Sequence, residues 1–140
     1  METVRPYSHV LEKICVVGLR PTRQRLALAK VLFESGDRHT TAEKLHTEAR
    51  AAHIRVSLAT VYNTLHQFTN AGLLREIVVD ASRSYFDTNT SSHQHFYCEE
   101  TGEIEDIPDG LVTLSDLPPP PKGTTIEHVD VVVRVKTISD

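Results

Sequence analysis

The chain has 140 residues, a formal net charge of −4, two cysteines and a mean hydropathy of −0.26. That length admits one domain or two small ones, and no apolar run approaches the ~20 residues of a membrane-spanning helix. Met1-Glu2-Thr3-Val4-Arg5-Pro6 carries no signal-peptide pattern, so a cytoplasmic location away from any membrane is expected. The lone Cys15 and Cys98 form no Cys-x-x-Cys motif and no disulfide framework, and read as reduced, partly buried thiols. The acidic net charge alone argues against a nucleic-acid partner, yet it is unevenly spread. Residues 1–84 hold twelve Lys/Arg against eight Asp/Glu, and residues 85–140 hold three against eleven. The front suits phosphate contact, the back cation binding or self-association. Neither half can bury much apolar surface alone, so a homodimer is expected.

In chain order, a first helix is predicted from about Tyr7 to Val17, stopped by Gly18. Pro21-Thr22 opens a second, with Leu26, Ala29, Leu32 and Phe33 on one face and Gly36 at its end. Thr40-x-x-Glu43 reads as a capping box, starting a third helix to about Ala52 with Ala42, Leu45 and Ala49 inward. Ser57 caps a fourth, whose Leu58, Val61, Leu65 and Phe68 recur at helical spacing before Gly72. Leu73–Val79 is strand-like, Asp80-Ala81-Ser82-Arg83 is turn chemistry, and Tyr85-Phe86 begins a return strand. Helices followed by a two-stranded wing make a winged helix-turn-helix, assigned to residues 1–86.

Residues 87–140 form a second region. His93–Cys98 and Glu103–Ile107 read as strands around Glu100-Thr101-Gly102, and Asp109–Leu117 as a short helix. Pro118–Pro121 then forbids regular structure. Val129, Val131, Val133 and Val135 alternate with His128, Asp130, Arg134 and Lys136 as in a half-buried strand. The fold class is therefore α+β, a winged helix followed by a small, mostly-β dimerisation and effector-sensing domain.

In a helix-turn-helix the start of the recognition helix faces base edges. Here that stretch holds Ser57, Thr60, Tyr62 and Asn63; Asn63 is able to bond adenine bidentately, and Tyr62 to pack on a thymine methyl. Arg20, Arg23 and Arg25 cluster where phosphate or an AT-rich minor groove would lie. Gly18-Leu19-Arg20-Pro21-Thr22-Arg23-Gln24-Arg25 and Ser57-Leu58-Ala59-Thr60-Val61-Tyr62-Asn63-Thr64-Leu65 resemble the DNA-binding domain of the ferric uptake regulator family, as do Thr41-Ala42-Glu43 and Asn70-Ala71-Gly72-Leu73. The resemblance covers roughly residues 8–107. It implies that Tyr62 touches bases and Arg20 the minor groove of double-stranded DNA. Asn63 stands where the family usually has Arg, which implies a different operator.

His93-Gln94-His95 is the chemical centre of the back half, because residues two apart on a strand point the same way. With Asp87, Glu103, Glu105 and Asp106 nearby, imidazole and carboxylate suit Zn, Fe or Mn. The resemblance implies a regulatory metal site at His39, Asp87, His93, His95 and Asp106. A second family site falls on Ser92, Gln94 and His128 and is expected to be absent or degenerate. The family's structural cysteine-zinc site is also expected to be missing, since Thr101 stands where the resemblance implies the second cysteine after Cys98; the last cysteine pair and last helix are expected to be absent too.

Leu19–Arg25, Tyr62-Asn63-Thr64-Leu65-His66-Gln67-Phe68, His-x-His and Ile107-Pro108 resemble one branch above the rest, the iron response regulators. That resemblance implies an iron- or haem-responsive regulator, mainly a repressor, controlling haem-synthesis and iron-uptake genes, with a haem-synthesis enzyme as a further partner. No Cys-Pro haem motif is present, so haem ligands would be His93 and His95, or His46 and His66. A zinc, manganese or peroxide sensor of the same family is the near alternative. A small metal-dependent oxygenase is the remote one, disfavoured by the helical front half; no enzymatic activity is expected.

Overall fold

Thr22, Thr41 and Ser57 each hold an extended backbone and turn a side-chain oxygen onto the amide three residues on, and so start three helices. In the computed structural model, which describes residues 8–138, these are α2 (Arg23–Phe33), α3 (Ala42–Ala51) and α4 (Leu58–Asn70), preceded by α1 (Ser8–Val16). Tyr7, expected to open the first helix, lies outside the described residues. The cap of α3 is Thr41, one residue later than predicted. Thr40 belongs instead to a two-residue strand, β1 (His39–Thr40), so Glu43 does not close a capping box. The α4 helix ends at Gly72, whose φ of 88° lets the Leu73 N–H reach back to the Phe68 carbonyl at 2.9 Å.

The chain divides into two units, parting between Thr90 and Ser91. The core of the first brings together Ile14, Leu28, Leu32, Leu45, Leu65 and Phe68 from the four helices. Each such side chain, fully withdrawn from water, contributes roughly 1.5–3 kcal/mol. Leu58, expected on this inward face, is 36% exposed; Thr64 takes a buried place among the α4 residues. Leu58 is the first residue of α4, and burial begins one turn later at Val61, so periodicity alone over-assigns the first residue.

The wing is the hairpin of β2 (Arg75–Asp80) and β3 (Arg83–Asp87), paired Ile77 to Tyr85, with an irregularity between Val78 and Asp80. On the other side of β3, β1 pairs His39 with Asp87 and Thr40 with Phe86, giving the sheet order β1-β3-β2. Two residues are too few to show a period of two, so this strand had no pattern to be read from.

The second unit is a three-stranded sheet of order β5-β4-β6, from β4 (Gln94–Cys98), β5 (Glu103–Ile107) and β6 (Val132–Val135). The antiparallel β4–β5 hairpin turns at Gly102, with φ of 73°. β6 runs parallel to β4, setting His95 beside Val132. Residues 108–131 carry the chain from the end of β5 past the start of β4 to the start of β6. The helix expected at Asp109–Leu117 does not form; the segment is turn and irregular chain. Pro108 precedes it, while Gly110 at φ 87° and Asp116 at φ 60° reverse the backbone. The valine strand is shorter than expected, and Val133 and Val135 remain 36% and 38% exposed.

The wing turn carries a pH signature. The Asp80 carboxylate accepts the Ser82 N–H and hydroxyl, each at 2.9 Å, and Arg83 Nε at 3.0 Å. The Ser82 backbone bond, then its hydroxyl, then Arg83 pull the Asp80 pKa down to about 2. A carboxylate depressed on folding contributes stability that is present above its ordinary pKa near 4 and is lost as pH falls toward 2. Following the Asp80 carboxyl by NMR should give a midpoint near the lower value, and Ser82→Ala should move it upward.

Candidate metal centre and nucleic-acid interface

The β4–β5 register sets His95 directly opposite Asp106, and His93 lies two residues earlier on the same face. Three donors therefore meet within the second unit. His93 Nε2 is 3.2 Å and His95 Nε2 3.3 Å from the same oxygen, Asp106 Oδ1. The two rings sit 4.5 Å apart between centroids at 61°. Both histidines are buried, while the Asp106 side chain stays 43% exposed and opens the group to solvent.

His93 Nδ1 is 2.7 Å from the Ser91 carbonyl. That oxygen accepts only, so Nδ1 carries the proton, and in the neutral ring Nε2 presents a lone pair. A lone pair facing a carboxylate oxygen is repulsive unless a proton or cation lies between them. An imidazole oriented through its far nitrogen by a carbonyl, beside a second imidazole and a carboxylate, is the donor chemistry of a divalent transition-metal site. These three residues fit a metal ion.

The first unit holds its own pair. β1–β3 pairing puts His39 Nε2 3.1 Å from Asp87 Oδ2. Asp87 Oδ1 accepts the Asn89 N–H at 2.9 Å. Beside it, Arg38 exchanges bonds with Thr88, donating its N–H to the hydroxyl at 2.8 Å and accepting the Thr88 N–H at 3.0 Å. The Arg38 guanidinium also donates to Glu48 at 2.8 Å. The strand is too short to hold itself, and the bonds of Arg38 secure its N-terminal flank.

The other proposed metal positions have different occupations. Gln94 accepts the Val131 N–H at 2.6 Å, and the exposed His128 faces Asp130 at 3.2 Å. Of the remaining haem candidates, His46 Nε2 is 3.1 Å from the Val56 carbonyl. His66 stacks along Tyr62 and meets Phe86 edge-on at 5.6 Å.

At the start of α4 the residues singled out for base reading are not equivalent. The Ser57 hydroxyl accepts the Thr60 N–H at 3.1 Å and donates to the Thr60 hydroxyl at 2.9 Å, so it serves the helix cap. Asn63 is exposed and Tyr62 half-buried. Arg20 and Arg23 are exposed, but Arg25 acts as a clamp. Its Nε and Nη2 donate to Gln67 Oε1 at 3.2 and 2.9 Å, and its Nη1 to the Arg20 carbonyl at 2.8 Å. Sequence reasoning missed a basic groove lined by His46, Arg50, His53, Arg55, Ser57 and Thr60. Arg50 and Arg55 fall seven and two residues before the cap, where a basic residue reads as an ordinary solvated face.

The ferric uptake regulator family model matches residues 16–133, and the chain belongs to that family. It is 37% identical over 90 residues to the peroxide-responsive repressor PerR of Staphylococcus aureus, and equally to that of Staphylococcus epidermidis. The first match takes in 64% of this chain but 60% of the repressor's length. Among solved structures, the ferric uptake regulator of Pseudomonas aeruginosa with manganese is 25% identical with a TM-score of 0.70, covering 92% of this chain and 98% of that one. The Vibrio cholerae regulator, at 24% identity and TM-score 0.70 over 90% and 98% of the two chains, shares the fold.

Cys98 is buried. The Thr101 hydroxyl, and then its backbone N–H, hydrogen-bond the Cys98 sulfur and pull the thiol below its ordinary range. Thr101→Val removes the larger of these bonds. Thiolate absorbance followed against pH should therefore show a higher midpoint in the variant.

Proposed function

We propose that this chain is a metal-responsive transcriptional regulator, mainly a repressor, that binds AT-rich operator DNA as a homodimer and reports iron status. The observation that carries the reading is the convergence of His93, His95 and Asp106 on one oxygen, in a chain whose other unit is a winged helix. Nitrogen and oxygen donors together suit iron, manganese or zinc. The family resemblance adds His39 and Asp87 as the remaining ligands. When bound, the ion neutralises the carboxylates and supplies directional bonds. A conformation in which more of these side chains could reach the ion would gain population when it is bound.

The residues of this chain divide the remaining work. Tyr62, Asn63 and Thr60 present side chains to base edges, with Ser57 holding the helix start. Arg20 and Arg23, joined by Arg50 and Arg55, meet the phosphates or the minor groove. Arg25 ties α2 to α4 and so sets their spacing. Self-association falls to the second unit, where Val133 and Val135 lie exposed on the outer strand of its sheet.

The branch resemblance adds haem as an effector. With ring centroids 4.5 Å apart, His93 and His95 leave no slot for a porphyrin between them, so only one of them would hold it. The likeness to peroxide-responsive repressors supports a second reading, in which the same metal group reports oxidant.

Fluorescence anisotropy with an AT-rich duplex tests these assignments. Iron(II), manganese(II), zinc(II), haem and peroxide are added separately, and the affinity should respond to iron(II) or haem. A response to zinc alone, or to peroxide alone, displaces the iron reading. His93→Ala combined with His95→Ala should keep DNA binding but lose the effector response; an undiminished response would remove the metal assignment. Tyr62→Ala should cost about 1–3 kcal/mol of specific binding while leaving the dimer intact by sedimentation.

A further inference from the structure

The Tyr62 hydroxyl lies 2.6 Å from Glu43 Oε1. An ionised carboxylate has no proton to give, so the phenol donates and its O–H vector is committed to Glu43. The ring is held as well. It packs against the core of the first unit and stacks on His66, one turn further along α4, at 6.4 Å and 18°. His66 rests edge-on against Phe86, with Nδ1 3.9 Å from Glu76. Glu43 sits in the first turn of α3, where a carboxylate is favoured by the helix dipole. The bond to Glu43 also raises the Tyr62 pKa above its ordinary value of 10, which keeps the phenol protonated.

Building on the reading of α4 as the base-reading helix, we infer that Glu43 is a positioning residue that sets the hydrogen-bond polarity of Tyr62. With its only proton turned to Glu43, the phenolic oxygen faces DNA as an acceptor. An acceptor matches an amino group in the major groove, adenine N6–H or cytosine N4–H. It opposes the acceptor edges of guanine and thymine, lone pair against lone pair. The ring is separately suited to a thymine methyl. An A·T pair supplies both the amino group and the methyl, so it satisfies the ring and the oxygen together. Tyrosine is otherwise an undiscriminating reader, since a freely rotating hydroxyl donates or accepts as the base requires. Glu43 removes that freedom without touching DNA itself.

Three substitutions separate the roles. Tyr62→Phe keeps the ring and removes the hydroxyl. Glu43→Gln keeps shape and helix propensity but offers both a donor and an acceptor, so the phenol can face either way. Glu43→Ala frees the hydroxyl outright. The full chain and each variant, with and without added manganese(II), are used to select from a randomised duplex pool, and circular dichroism melts confirm that each is folded. The wild type should enrich adenine or cytosine over guanine and thymine at one position per half-site, by roughly 5- to 100-fold. Tyr62→Phe should flatten that position alone. Glu43→Gln and Glu43→Ala should still bind and keep the other positions, yet accept all four bases there within about threefold. If both Glu43 variants retain the wild-type preference while Tyr62→Phe loses it, Glu43 has no such role. If Tyr62→Phe changes nothing, the hydroxyl is not read. A wild-type chain that enriches no sequence overturns the base-reading assignment of α4, and this inference with it.

Discussion

Antiparallel pairing of β4 with β5 places His95 across from Asp106, and the two-residue period of the strand brings His93 to the same side. One carboxylate oxygen then faces two imidazole nitrogens at 3.2 and 3.3 Å. A ring-nitrogen lone pair facing that oxygen is unfavourable unless a proton or a cation lies between them. A slip of one residue in this register would turn Asp106 to the other face and leave two histidines without their acid. The Gly102 turn, closed by its N–H on the Cys98 carbonyl at 2.8 Å, protects against that slip.

A second constraint of the same kind acts in the first unit. Only the ladder to β3 makes His39–Thr40 a strand, and that ladder sets His39 beside Asp87. Arg38, bonded to Thr88 on one side and Glu48 on the other, ties the wing to α3. The residue that starts α3 and the residue that meets Asp87 are thus two positions apart in the chain. The His39–Asp87 pair therefore lies next to the N-terminus of α3, which packs against α4.

The side chains around the start of α4 are held from several sides. Ser57 is occupied by the cap, Arg25 by Gln67 and the Arg20 carbonyl, and Tyr62 by Glu43 and His66. Side chains already ordered in the free protein lose less entropy on binding. Their hydrogen-bond directions are also chosen in advance, and under the proposed base-reading role of α4 specificity would rest partly on residues, such as Glu43, outside that helix.

Much of this was legible in the residues themselves. Helical spacing with Thr22 and Ser57 as caps, alternation through the wing, and the His-x-His of the back half are local properties, and local physics decides them. The α+β class, the order of helices and hairpin, and the nearness of His93 to His95 follow from them. The tertiary structure decided what depends on partners remote in sequence. The two-residue β1 exists only through β3. The Asp109–Leu117 segment forms no helix because reversed backbone at Gly110 and Asp116 interrupts it. Arg25 and Tyr62 find their partners on neighbouring helices rather than in solvent. A short strand, a clamp or a polarised hydroxyl has no periodicity of its own, because its energy lies in contacts that come into being only once distant stretches of the chain have met.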